Sequence, residues 1–402
     1  MNQNLIYRKY AENIISSYKD KPVIKVITGI RRSGKSFLLK LIKETLLKTE
    51  NPDCIIYIDF EDFDNSSYLD LNYLYSFIKT QSSKTNKKLY LLFDEIQELD
   101  GWEKCINSLY ASETIDCDIY ITGSNAKLLS SELTTYISGR YVNIEVQPLS
   151  YREFLTFHKL ADSDKSFEKF ITQGGFPGLK DMNTDDSVKK YLEGIYSTVL
   201  LKDIIRRNNI RDANMLEKII LYICDNIGNI FSANKIAQFM KSQQRKISVE
   251  TIYNNLKYLQ NAFFIYKVPR YDLKGKKILE TMEKYYISDQ GLKYFLQGFK
   301  QDYISGILEN IVFLELIRRD YKVFIGKTGD LEVDFVAEKN GERIYIQVTY
   351  LLVDEKTIAR EYAPLKLIED NHPKMILSMD SLPDSNTDGI IRMNLRKWIL
   401  EE

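Results

Sequence analysis

The sequence predicts an α/β protein built on a parallel sheet, and three stretches carry that expectation. Residues 26–41, VITGIRRSGKSFLLKL, join a short apolar run to a glycine-bounded loop and the start of an amphipathic helix. Residues 89–95, LYLLFDE, are an apolar run ending in two carboxylates, and residues 115–125, IDCDIYITGSN, are another that ends in polar residues. Apolar runs this short, separated by helical stretches, read as buried parallel strands. A parallel sheet offers its ligand site at the carboxyl edge.

The first stretch spells GxxxxGKS, with Gly29, Gly34, Lys35 and Ser36 at the specified positions. The two glycines let the backbone turn through positive φ and approach an anion without a Cβ in the way. Ile30, Arg31, Arg32 and Ser33 complete a loop whose N–H groups point inward, and Phe37 continues into the helix. Lys35 is placed to reach the β- and γ-phosphates of ATP, and Ser36 to put a hydroxyl on Mg²⁺. The helix N-terminus adds its own positive end. Context agrees, because residues 23–28 read as a strand and Leu38, Leu41, Ile42 and Leu46 recur at helical spacing.

Residues 89–95 have the pattern of a Walker B strand, which delivers Asp94 to the Mg²⁺ shell and sets Glu95 to orient or deprotonate the attacking water. Residues 54–60, CIIYIDF, read as a further strand, and the acidic Glu61, Asp62 and Asp64 behind it face either a metal or solvent. Ser124 or Asn125 at the end of the 115–125 strand is a candidate γ-phosphate sensor, with a plain Gly-Ser-Asn turn as the alternative. Arg140 in Ser138-Gly139-Arg140 is a candidate finger reaching a neighbouring subunit's nucleotide, or a surface arginine in a turn. Ahead of the loop, Tyr7, Tyr10, Ile14, Ile15 and Tyr18 fall on one face of a short leading helix.

In chain order, GIRRSGKS, LLFDEIQ, ITGSN, SGR, PLSYREFL and GGFP resemble the bacterial and archaeal AAA+ ATPases whose C-terminal part is the DUF4143 region. The resemblance covers essentially the whole chain. It implies an AAA+ core with a helical lid, in which Lys35, Ser36, Asp94 and Glu95 take the nucleotide and magnesium roles. It also implies that Gly175, Phe176 and Pro177 form a lid segment whose Pro177 meets the nucleotide. The expected division is a P-loop domain over residues 1–148, a helical lid over 149–211, a winged helix over 212–300 and a nuclease-like α/β domain over 301–402.

Residues 150–211 read as helices broken at Gly174-Gly175 and Pro177. Residues 213–287 read as three helices and a basic hairpin. Ser232 and Ser248 are N-caps with hydrophobic staples, and Ile252, Leu256, Leu259 and Phe263 form a buried stripe. The opposite face offers Thr251, Asn254, Asn255, Lys257 and Tyr258, and Lys267, Arg270, Lys274, Lys276 and Lys277 surround Gly275 downstream. This is the pattern of a winged helix, with a helix for the major groove of double-stranded DNA and a basic wing for its phosphates. A protein-contact module is the other use of that pattern.

The element order over residues 303–380 resembles the core of PD-(D/E)xK nucleases. Glu309 and Asp334 match its first two metal-binding positions, but Gln347 is neutral and Thr349 stands where the lysine belongs. Lys356 on the next helix is a possible substitute. The expectation is a degenerate domain kept for binding or assembly.

A chain of 402 residues asks for about two or three domains. Lys plus Arg balances Asp plus Glu at 56 each, so any nucleic-acid site must be a local patch. No apolar run reaches bilayer length and the first residues lack a secretory signal, so no membrane contact and a cytoplasmic place are expected. Cys54, Cys105, Cys117 and Cys224 lack zinc-ligand spacing, and with His158 and His372 the only histidines they read as buried free thiols. The whole points to an ATP hydrolase that couples nucleotide state to DNA or protein contact, with an oligomer left open by Arg140. The alternatives are a nucleotide-gated regulatory protein with little turnover, or an ATP-dependent nuclease.

Overall fold

The computed structural model describes residues 8–126, 139–298, 303–381 and 383–401. The chain divides into two compact units, one of residues 1–148 with 261–263, the other of residues 149–260 with 264–402.

The first unit is a five-stranded parallel sheet with helices on both faces. Its strands are β1 (Ile24–Thr28), β2 (Ile55–Asp59), β3 (Leu89–Asp94), β4 (Cys117–Gly123) and β5 (Tyr141–Glu145), in the spatial order β2-β3-β4-β1-β5. The helices are α1 (Lys9–Tyr18), α2 (Lys35–Leu46), α3 (Leu71–Thr85) and α4 (Trp102–Tyr110). Strands β1 and β3 are buried at every residue, which is why they read as unbroken apolar runs. Their side chains still alternate. Leu89, Leu91 and Phe93 pack with Leu74 and Ile78 of α3 and Ile106 of α4, while Tyr90 and Leu92 pack with Leu38, Leu39 and Ile42 of α2. Each such buried aliphatic contributes roughly 1.5–3 kcal/mol. Cys54 and Cys105 are buried free thiols of this core, and burial pushes Cys105 up to about 11.

The second unit begins with α5 (Tyr151–His158), α6 (Asp164–Gln173) and α7 (Asp185–Thr198), the last running into a π-helical stretch, Val199–Arg206. Ser150 starts α5 through a reciprocal capping box with Glu153. The Gly174-Gly175 break has a steric cause. Gly174 has φ +81°, and a Cβ on Gly175 would stand 2.3 Å from the Leu149 carbonyl oxygen. The Gly175 N–H donates to buried Asp289 at 2.6 Å, and its carbonyl accepts from Leu149 N at 2.7 Å. Pro177 then opens a short 3₁₀ turn, Pro177–Asp181.

His158, the last residue of α5, lies against Phe154 with ring centroids 4.1 Å apart. Burial, aided by the charges of Lys169 and Lys180, pushes its imidazole down to about 4 from 6.5. The unfolded chain therefore binds a proton that the folded chain refuses, and stability is lost as pH falls from 6.5 towards about 4. Thermal melting across that window is expected to show a weaker acid dependence in His158→Phe than in the wild type.

Next come α8 (Ala213–Asp225), α9 (Ala233–Ser242) and α10 (Val249–Asn261), followed by the antiparallel hairpin of β6 (Ile265–Asp272) and β7 (Lys277–Ile287). Ser232 and Ser248 cap α9 and α10 by accepting from Lys235 N and Thr251 N. The exposed face expected for α10 needs one correction. Asn255 is buried, its amide donating to the Thr251 carbonyl, because this short polar side chain can satisfy itself on its own helix.

The chain then forms α11 (Gln290–Gln297), α12 (Ile304–Arg318), β8 (Lys322–Thr328), β9 (Leu331–Lys339), β10 (Glu342–Val348), α13 (Glu355–Lys366), β11 (Lys374–Ser378), β12 (Ser385–Thr387), β13 (Ile390–Asn394) and α14 (Leu395–Leu400). One eight-stranded sheet, β12-β13-β11-β10-β9-β8-β6-β7, takes in the hairpin as well. Residues 212–300 and 301–402 are thus not separate sheets. Arg270 to Asp272 of β6 run parallel to Ile325 to Lys327 of β8, so the hairpin joins the sheet through β6 and β7 becomes the sheet's edge strand.

Candidate nucleotide-binding site

The carboxyl ends of β1, β3 and β4 bring together most of the residues singled out in the first unit. β1 ends at Thr28, and the loop 29–34 leads directly into α2. Gly29 has φ +141°, and a Cβ there would lie 2.1 Å from the Val146 carbonyl oxygen. Gly34, at φ +103°, precedes α2 and offers no side-chain cap, so the helix presents its first amides to the loop's interior. Ile30 is buried, Arg32 is exposed with φ +68°, and Phe37 packs partly against the α2 core.

Lys35 is 3 % exposed. Its ammonium donates to the carbonyls of Gly29 at 3.0 Å and Ile30 at 3.2 Å and stands 4.0 Å from Glu95. Asp94 is fully buried. It accepts hydrogen bonds from Thr122, from Tyr57 at 3.1 Å and from Ser36. Burial pushes its carboxyl above the usual range, and the Thr122 hydroxyl works the other way. Glu95 sits at φ +51°, its N–H donating to Thr122 at 2.9 Å and its carboxylate accepting from Gln97. Asn125 is 5 % exposed at the end of β4. Two buried hydroxyls, Ser33 Oγ and Ser124 Oγ, have no hydrogen-bond partner among the described residues. An anion at the loop would meet such donors.

Mg²⁺ fits this donor set, since the Ser36 hydroxyl and the Asp94 carboxylate are hydrogen-bonded neighbours next to a phosphate-type loop. Among the described residues no group of three or more His, Cys, Asp or Glu is placed to hold a metal ion.

Three contacts had no local signal in the sequence. Arg8, 2 % exposed, donates to the Ser33 carbonyl and to the Gln147 carbonyl, each at 3.1 Å, and so ties the loop to the chain beyond β5. Thr122 joins Asp94 to the Glu95 backbone. Arg31 pairs with Glu61, which gives that acidic residue a partner in the loop itself. Arg140 lies elsewhere. Its carbonyl accepts from Ile24 N at the amino edge of the sheet, and its guanidinium bonds Asn107 at 3.1 Å and stacks over Tyr110. Pro177 belongs to the second unit.

Residues 21–155 match the family model of an AAA domain, AAA_14. Residues 164–303 match a domain of unknown function, DUF8612, where the resemblance had implied DUF4143. An uncharacterized protein of Haemophilus influenzae is 38% identical over 100% of both chains. The protein MJ1544 of Methanocaldococcus jannaschii is 35% identical over 86% of this chain and 79% of its own. Among solved structures, the Walker-type ATPase PABY2304 of Pyrococcus abyssi superposes with a TM-score of 0.52 and 17% identity, covering 74% of this chain and 97% of that one, a likeness of fold. Identity of 38% along the whole length makes this chain a member of the same family as the H. influenzae protein, with its own AAA domain on the loop and sheet just described.

Proposed function

We propose that the chain is an AAA+-type ATP hydrolase whose nucleotide state governs contact of its second unit with double-stranded DNA or a protein partner. The observation that carries this reading is the cluster of Lys35, Ser36, Asp94 and Glu95 at one sheet edge, with the loop amides and α2 N-terminus beside it. Lys35 exchanges its bonds to the Gly29 and Ile30 carbonyls for phosphate oxygens and neutralises their charge. Ser36 and Asp94 would hold Mg²⁺, which would supply positive charge against the phosphates. Glu95, held by Thr122 and Gln97, orients the attacking water and takes its proton. Asn125 senses the γ-phosphate. Steady-state hydrolysis with and without duplex tests the reading, and a rate no higher than that of Lys35→Ala would refute it.

DNA contact is proposed for α10 and the β6–β7 turn, a winged-helix arrangement. Lys257, Lys274, Lys276 and Lys277 are all exposed. Asp272 accepts from the N–H groups of Lys274 and Gly275, each at 3.1 Å, which orders the turn without engaging the lysine side chains. Changing Lys274, Lys276 and Lys277 together to Glu is expected to weaken duplex binding. It should also reduce the slope of log K against log salt by about 3, since each lost phosphate contact removes roughly 0.9. Gel shifts over a salt series check this, and unchanged binding would remove the turn from the interface.

The neutral Gln347 at the third restriction-endonuclease-like position counts against cleavage. Gln347 accepts from Asp334 N and donates to Glu361, so both ends of its amide are engaged, and Lys356 is exposed at the start of α13.

A further inference from the structure

Lys284 of β7 is 1 % exposed, an unusual place for an ammonium group. Its Nζ lies 2.7 Å from Glu309 of α12, 2.6 Å from Glu332 and 3.5 Å from Asp334, both of β9. Glu309 also accepts from the buried Tyr286 hydroxyl, and the other oxygen of Asp334 accepts from Val348 N at 2.9 Å. Two elements, α12 and β9, thus aim three carboxylates at one point, and that point is filled by a cation belonging to the chain. Burial opposes charge on Lys284, but Glu309, Asp334 and Glu332 outweigh it and hold its pKa above the ordinary value. Glu309 is pushed up to about 7, by burial first, with Asp334 adding to the rise and Lys284 opposing it.

We propose that Lys284 is a resident cation, its ammonium taking the position among Glu309, Glu332 and Asp334 that a divalent metal ion would otherwise hold. The wild-type cluster accordingly binds no metal, and loss of the ammonium opens a site. The reasoning is electrostatic. Without Lys284, the buried Glu309 and the largely buried Asp334 would face each other with the part-exposed Glu332 beside them, a costly state that protonation or a replacement cation relieves. A small divalent ion suits an all-oxygen set of this kind. Pairing with Lys284 also joins β7 to α12 and β9 through a fixed charge rather than an exchangeable one.

The test is Mn²⁺ titration of the full chain without nucleotide, followed by calorimetry and by the spin-resonance signal of free Mn²⁺. Wild type and Asp334→Asn are expected to give the same titration. Lys284→Ala is expected to gain one Mn²⁺ site, at least tenfold tighter than any in the wild type, that disappears in Lys284→Ala/Asp334→Asn. Should Lys284→Ala lose its cooperative melt in chelator, addition of Mn²⁺ is expected to restore it. Wild-type Mn²⁺ binding that Asp334→Asn abolishes would overturn the proposal. So would a folded Lys284→Ala that binds no Mn²⁺, or an unfolded one that Mn²⁺ does not rescue.

Discussion

Lys35→Ala is expected to lose ATP affinity by about 100-fold or more, whereas Glu95→Gln is expected to bind ATP as the wild type does and turn it over at least about 100-fold more slowly. The two residues stand only 4.0 Å apart, so proximity to the site does not separate them. Their chemistry does. Lys35 is the buried ammonium of the loop, and two charge-assisted bonds to phosphate are worth several kcal/mol of binding. On the proposed mechanism Glu95 adds nothing to the binding of ground-state triphosphate, and its use begins when a water must be aligned and deprotonated. Glutamine preserves the shape and the contact to Gln97 but removes the base. Fluorescent-nucleotide binding and phosphate release, measured on both variants, check this division. Equal residual turnover in the two would contradict it.

Gly175→Ala is expected to destabilise the second unit by about 3 kcal/mol or more, through overpacking against backbone rather than against a side chain that can swing away. The Cβ would meet Leu149 O at 2.3 Å and Leu149 N at 2.9 Å, and neither can move without breaking the bond from Leu149 N to the Gly175 carbonyl. The same shift would pull Gly175 N from Asp289, which is buried and depends on such donors. Gly194→Ala is the control, since a Cβ there meets nothing within 4 Å and the residue lies inside α7. A lowered denaturation midpoint for Gly175→Ala alone is the expected result in a denaturant titration.

Legibility in the sequence followed the range of the interaction. The loop and its helix depend on residues adjacent in the chain, so Gly29, Gly34, Lys35 and Ser36 announce themselves by spacing. β1 and β3 are buried on both faces, and an unbroken apolar run is the local trace of that burial. Arg8 is different, because its acceptors are 25 and 139 residues away and an arginine near an N-terminus carries no mark of them. Lys284 is hidden in the same way. It looks like one more lysine of a basic hairpin until Glu309 and Asp334 are brought around it. The Gly174-Gly175 pair was visible as a break, yet its cause lies in Asp289 and Leu149, which only the folded second unit supplies. Asn255 shows the limit of helical periodicity, since a polar residue that bonds its own helix can occupy a buried position.

The most direct measurement is calorimetric titration of the intact folded chain with ATP in the presence of Mg²⁺. Saturable heat with one site per chain, lost in Lys35→Ala, is the predicted result. A folded wild-type chain that takes up neither ATP nor GTP would contradict the nucleotide-binding role assigned to the loop at Gly29 to Ser36.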